Sequence, residues 1–228
     1  MRSTSKVKLI CLSSPSAITD CASSAELVAY IARVSNPGNQ ANKSTASRLL
    51  RYLIENNHWS PFEMVSITME IETTRDIARQ ILRHRSFSFQ EFSQRYANPV
   101  ESLGFEYREA RLQDMHNRQN SFEVENRGLQ EEWRMKQAEL IRKVQDTYYW
   151  ALSHNIAKEQ ARTVLPEGLT MSRMYMAGTL RSWIHYCSLR RDNGTQKEHR
   201  EIAEDCWSII GQHFPAVVEA LAQCEKQE

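Results

Sequence analysis

The chain has 228 residues, 41% of them hydrophobic, and its 29 basic and 28 acidic side chains leave a formal net charge of +1. That is enough apolar material to bury one substantial core, and too even a charge balance for a dedicated nucleic-acid coat. The five cysteines, Cys11, Cys21, Cys187, Cys206 and Cys224, are widely spread with no Cys-x-x-Cys pair. They suggest neither a disulfide framework nor a zinc knuckle, and a reducing, cytoplasmic setting is the simplest reading.

The opening "MRSTSKVKLICLSSPS" has an apolar run too short for a signal peptide or a membrane span and reads as a first strand. "AELVAYIARVS" and "STASRLLRYLIENN" space their apolar residues at three and four, which predicts two amphipathic helices, the second N-capped by Ser44. In "MVSITMEIETT", Val65, Ile67, Met69 and Ile71 alternate with smaller or polar partners, the period of a half-buried strand. "TRDIARQILRH" returns to helical spacing, with Ile77 and Ile81 on one side and Arg79, Gln80 and Arg83 on the other. From about 98 to 128, Pro, Gly, Asn and charge mix without period, as in a lid, loop or hairpin. "LQEEWRMKQAELIRKVQDTYYWALSHN" is a long helix by pattern and composition. A shorter helical piece, "KEQARTVLP", stops at Pro166; "TMSRMYMAGTLRSWIHYCSLRR" is expected to be another helix, and a last helical tract from about 196 to 223 is kinked or restarted at Pro215. Few strands and many helices, with no repeat or linker, give an α+β class and a single domain over residues 1–228.

Several signatures are missing. Neither Gly-x-Gly-x-x-Gly nor Gly-x-x-x-x-Gly-Lys occurs, so a phosphate-bearing ligand would have to be held by arginines. The seven histidines include no pair at metal-ligand spacing, and no metal site is expected.

Attention therefore falls on "RHRSFSFQEFSQRY", Arg83 to Tyr96, which is expected to be a helix end running into a loop. A guanidinium fork matches phosphate and carboxylate geometry, and such charge-assisted bonds are stronger than neutral ones. Arg83, His84 and Arg85 could simply satisfy the last carbonyls of a helix. The run that follows, Ser88, Gln90, Glu91, Ser93, Arg95 and Tyr96, offers donors and acceptors with no evident core partner. Three chemical readings share these residues. One is an anion-binding enzyme site. A second uses a side-chain nucleophile, Cys187 three residues before Arg190, or Ser93, which lacks a base in its own motif. The third is an RNA-binding module with Phe87, Phe89, Phe92 and Tyr96 stacking on bases.

Arg83-His84-Arg85 followed by Ser93 resembles the signature of the flavin-dependent thymidylate synthases, Arg-His-Arg-x-x-Ser-x-Asn-Glu-x-Ser-x-Arg-Tyr, at every specified position except Gln90, where asparagine is usual. "ARVS" (32–35), "HWSPFE" (58–63), "ARQ" (78–80), "ARTVLP" (161–166) and "LRSWIHYCSLR" (180–190) resemble further blocks of that family in the same order. "LPEGLTMSRMYMAGTLRS" is one residue longer than the family pattern, and residues 98–128 match no block.

The resemblance implies a small, mostly antiparallel sheet flanked by several long helices. It implies methylation of dUMP to dTMP with methylenetetrahydrofolate as carbon donor, FAD as hydride carrier and NADPH as reductant. It implies a homotetramer with shared active sites and no nucleic-acid or membrane partner. By the same resemblance, Ser60, Arg83, His84, Arg85, Glu91, Thr179, Arg181 and His185 would line the FAD site. Gln80, Arg83, Glu91, Ser93, Gln94, Arg95, Arg162 and Arg190 would hold dUMP, and Arg190 would be catalytic, stabilising negative charge on the uracil N3–O4 edge. His185 is equally readable as a core histidine, and Arg191 suits a helix C-terminus better than Arg190 does.

Overall fold

A computed structural model describes residues 6–224. In chain order it runs β1 (Val7–Leu12), α1 (Ser24–Ala32), α2 (Ala46–Glu55), a 3-10 segment (Ser60–Met64), β2 (Ser66–Thr74), α3 (Arg75–Ile81), β3 (Ser88–Glu91), α4 (Pro99–Ser102), β4 (Arg111–Gln113) and β5 (Ser121–Glu123). Then follow α5 (Arg127–Ser153), α6 (Lys158–Ala161), β6 (Met171–Thr179), α7 (Leu180–Arg190), α8 (Lys197–His213) and α9 (Pro215–Cys224).

Four strands form one sheet in the order β1-β2-β6-β3, with all three pairings antiparallel. The central ladder pairs Ser66 with Thr179 and Thr74 with Met171 without a break in register. Alternation sorts the two faces. Ile67, Met69, Ile71, Met174 and Met176 are buried and meet Ile77 and Ile81 of α3, Trp183 and Ile184 of α7, and Ile202 and Ile210 of α8 in one core. The Trp183 indole, fully buried, keeps its hydrogen bond by donating to the Ile67 carbonyl at 3.0 Å. Such burial stabilises each large aliphatic side chain by about 1.5–3 kcal/mol relative to exposure. A smaller cluster around Val100, Val144, Tyr148 and Ala161 docks α5 against α4 and α6.

Three local expectations change. "TMSRMYMAGT" is a strand, with only Leu180–Arg190 helical. Its Met174 and Met176 alternate with Arg173 and Tyr175, and pairing on both sides with β2 and β3 overrides the helix-favouring methionines. Ser88–Glu91 is likewise a strand rather than loop, because β6 offers it a free edge. The residue at the N-cap of α2 is Thr45, and the Ser44 hydroxyl instead donates to Asn42 Oδ1 at 2.8 Å. The 98–128 region contains a hairpin, β4–β5. Among the described residues no helix is long and apolar enough to cross a membrane.

Candidate active site

The expected residues fall into three neighbouring groups along the sheet. At one end, Glu91 closes β3, and its carboxylate accepts a hydrogen bond from Ser172 Oγ at 2.8 Å and lies 3.4 Å from Arg75 Nη1 and 3.6 Å from Arg79 Nη1. Arg75 is buried, and that burial lowers its guanidinium from the usual range against the opposing pull of Glu91. The charges of Arg79 and Arg162 also act on it, so this end gathers arginines around two carboxylates, Glu91 and Glu167, the latter 3.4 Å from Arg79 Nε. Arg95 reaches Glu159 at 3.2 Å. Ser93 is exposed, whereas Gln94 is buried with its Nε2 lacking any hydrogen-bond partner among the described residues. A buried amide left unpaired costs about 1–3 kcal/mol.

In the middle, α3 ends and the turn after it presents Arg83, His84 and Arg85. Arg83 and Arg85 are exposed, and among the described residues their guanidinium groups have no ion-pair partner. His84 Nε2 accepts from Arg190 Nε at 2.9 Å, joining the end of α7 to the motif across 106 residues of sequence. That contact makes His84 neutral with its proton on Nδ1. Burial first, then the charges of Arg190 and Arg83, hold its imidazole below the ordinary range. Tyr186 stands edge-on to the same ring at 4.9 Å. Gln80 has both ends of its amide engaged inside the chain, Nε2 with Gln196 at 2.8 Å and Oε1 with His199 at 3.3 Å.

At the far end, Thr179 N-caps α7, accepting from Ser182 N at 3.2 Å. Arg181 pairs with Glu63 of the 3-10 segment. Ser60 begins that segment and is exposed. His185 is exposed on α7 with its ring 4.8 Å from Trp59, and partial desolvation, then the charge of Arg181, lowers its imidazole. It is not a core histidine.

Cys187 is fully buried, and desolvation pushes its thiol far up, with Arg191 rather than Arg190 the nearby cation that opposes the shift. An uncharged thiol sealed in the core is no nucleophile. Residues that motif reading passed over are Arg75, Arg79, Ser172, Gln196 and His199. Only Arg79, beside Gln80 in "ARQ", carried a sequence signal; the others are brought in by the sheet and by α8. Among the described residues no three His, Cys, Asp or Glu side chains are grouped to hold a metal.

A helix-backed antiparallel sheet with the exposed guanidinium groups of Arg79, Arg83, Arg85 and Arg95 near its β3 edge, and no glycine loop, defines a class of protein whose chemistry suits anionic ligands. Residues 17–216 match the family model described as thymidylate synthase complementing protein, and the chain belongs to that family, the flavin-dependent thymidylate synthases. It is 50% identical over 196 residues to the probable flavin-dependent thymidylate synthase of Paramecium bursaria Chlorella virus 1, covering 86% of this chain and 89% of the relative. It is 49% identical over 217 residues to the flavin-dependent thymidylate synthase of a Synechocystis strain, covering 94% and 98%. Among solved structures it resembles the UMP/dUMP methylase PolB from Streptomyces cacaoi bound with 5-Br UMP, with a TM-score of 0.78 at 26% identity over 96% of this chain and 94% of that one.

Proposed function

We propose that this flavin-dependent thymidylate synthase converts dUMP to dTMP with methylenetetrahydrofolate as carbon donor, FAD as hydride carrier and NADPH as reductant. The proposal takes residues 1–228 as one such domain, working in the cytoplasm as a homotetramer with shared sites. The observation that supports it most is the contact of Arg190 Nε with His84 Nε2, which fixes a charge-stabilising arginine beside the motif's cationic turn.

In this reading Arg190 faces the uracil edge. Negative charge gathering on N3 and O4 makes C5 a better nucleophile, and a preorganised guanidinium contributes about 2–4 kcal/mol of that stabilisation. His84 accepts from Nε and so leaves the two terminal nitrogens of Arg190 to point at the base. Ser93, Gln94, Arg95 and Arg162 hold the dUMP phosphate with Arg83, and Glu91, itself braced by Arg75 and Ser172, keeps the arginines in place. Gln80 contributes an amide hydrogen bond to the nucleotide.

The donor set also fits FAD. Arg83, His84 and Arg85 suit a pyrophosphate, while Ser60, Thr179, Arg181 and His185 offer hydroxyl, cationic and flat aromatic contacts around the start of α7, with Glu91 completing the set. FAD, when bound, supplies the hydride that completes the methyl group. The test is an assay with dUMP labelled at C5 by tritium, methylenetetrahydrofolate, FAD and NADPH: label released to water in step with dTMP formation is expected. A flavin-loaded protein that forms no dTMP under those conditions sinks the reading.

A further inference from the structure

Behind the motif lies a line of hydrogen bonds that runs through three helices, α7, α8 and α3, and has only one consistent direction. The Tyr186 hydroxyl is 3.0 Å from His199 Nε2, and His199 Nδ1 is 3.3 Å from Gln80 Oε1. Gln80 Nε2 is 2.8 Å from Gln196 Oε1, and Gln196 Nε2 is 2.9 Å from Glu198 Oε2. The line ends there, on a carboxylate held by Arg108 Nη1 at 3.0 Å and Arg111 Nη2 at 2.6 Å. Both arginines come from the stretch that resembles no family block, Arg111 from strand β4 itself.

An ionised carboxylate accepts and never donates. Gln196 must therefore turn its NH2 toward Glu198 and its oxygen toward Gln80. Gln80 must then donate from Nε2, which leaves its oxygen to His199. A proton on His199 Nδ1 is required to meet that oxygen, so Nε2 is bare and accepts from the Tyr186 hydroxyl. Every choice of amide face and tautomer follows from the charge at the far end, whichever way the amides are drawn. The groups are in the protonation states this needs. Burial alone would raise the Glu198 carboxyl, yet the charge of Arg108 and the hydrogen bond from Arg111 bring it down to about 2. His199 has no exposed surface, and burial, then Arg190 and His84, lower its imidazole to about 3, so it is neutral. One N–H of Gln80 is left over once these bonds are made.

We propose that Glu198 is a positioning residue for Gln80: its carboxylate sets the direction of the relay and thereby holds the Gln80 amide with its remaining N–H available to an oxygen of the nucleotide. The proposal rests on the reading of Gln80 as a dUMP contact. It also gives the hairpin segment a task, since Arg108 and Arg111 keep Glu198 ionised and in place.

Arg111 holds Glu198 Oε1, whereas Arg108 and Gln196 share Oε2. In Glu198→Gln an amide NH2 can take the Oε2 position, so Gln196 is no longer bound to donate; the direction of the relay is lost, and His199 passes from the pure Nδ1-protonated state to a mixture with the Nε2-protonated tautomer. Gln196→Leu cuts the relay while keeping both ion pairs, and it serves if the first variant fails to fold. The measurements are 15N spectra of histidine-labelled protein, with His199 assigned by its absence in His199→Asn, beside kcat and KM for dUMP. For both variants we expect loss of the pure Nδ1-protonated state, a five- to tenfold rise in KM of about the size of one neutral hydrogen bond, and unchanged kcat and flavin content. A tautomer that stays on Nδ1 in both variants overturns the proposal, and so does a changed tautomer with unaltered KM. A wild-type protein that forms no dTMP overturns the functional reading and the proposal with it, and is told apart because the tautomer shift still occurs.

Discussion

Arg83 sits in the cationic turn after α3 and Arg190 at the end of α7, in contact with that turn through His84, and they are expected to fail differently. Arg83 is exposed at the end of α3, free to grip a phosphate, whereas Arg190 is locked to His84 at 2.9 Å. Arg83→Ala should emerge from desalting with less bound flavin and lose activity for that reason. Arg190→Ala should keep its flavin absorbance and lose turnover by about a hundredfold or more, the scale for one preorganised donor; normal turnover in a folded Arg190→Ala would remove the role assigned to it. Cys187→Ala tests the covalent alternative from the other side: a buried thiol outside the chemistry should cost roughly 1 kcal/mol of stability and little turnover. Acid sensitivity follows from His199. Its folded value, about 3, lies below the 6.5 of a free histidine, so the unfolded chain binds the proton first. Stability is complete above 6.5 and falls as the pH drops from there toward 3, by up to about 1.4 kcal/mol per pH unit for one proton. Melting temperature measured from pH 7.5 to 5 should decline, less steeply in His199→Gln; identical slopes would mean that other groups carry the acid lability.

Among the elements, β6 is the one whose position matters most and whose sequence disguised it. Gly178 lies against the face of Phe87, and a Cβ there would run into the ring. Phe87 in turn packs edge-on to Trp183 at 4.9 Å and Tyr186 at 5.9 Å, so this ring, together with the His84 contacts to Arg190 and Tyr186, pins the motif to α7. Gly178→Ala should cost about 1–3 kcal/mol by overpacking, read as a lower denaturation midpoint, and Phe87→Leu on top should recover part of it. No loss would show the ring free to move aside. The same strand explains what the sequence revealed and what it hid. β2 was legible because Ile67, Met69 and Ile71 carry the period of a strand and the two isoleucines its β-branched character. In β6 the period is present, Met174 and Met176 inward and Arg173 and Tyr175 outward, but methionine and alanine favour helices and the run leads straight into α7. The site divides similarly. The charged and polar motif residues from Arg83 to Arg95 could be read as ligand-holding because no core needs them, while Ser172 and His199 are single polar residues whose meaning comes only from the partners that β3 and α3 bring to them.

Across the whole molecule, the distance between the two ends of the proposed site argues for assembly. Glu91 lies opposite Met174 on β6, whereas Thr179, with Arg181 and His185 just beyond it, lies at the other end of the same strand. Five residue steps of extended chain separate them, about 17 Å. A site spread over that span leaves a small nucleotide in contact with water unless something covers it, and a guanidinium acting on uracil gains its full effect only where water is excluded. The apolar side chains that could complete an enclosure are present. Met135 and Trp150 on the 27-residue helix α5 are 62% and 56% exposed, and Trp133 and Leu140 are 43% and 47% exposed on it as well. A second copy covering such side chains would hide apolar area and bring its own arginines toward the open edge. The homotetramer proposed above should therefore be the active form, with turnover per chain falling on dilution as subunits separate. Replacing Trp133 and Met135 with glutamate should shift the equilibrium toward smaller species and lower activity in proportion, while leaving the chain folded by circular dichroism. Light scattering run beside the dTMP assay decides it: a monomer that turns over dUMP as fast as the assembled protein would mean that each chain encloses its own site.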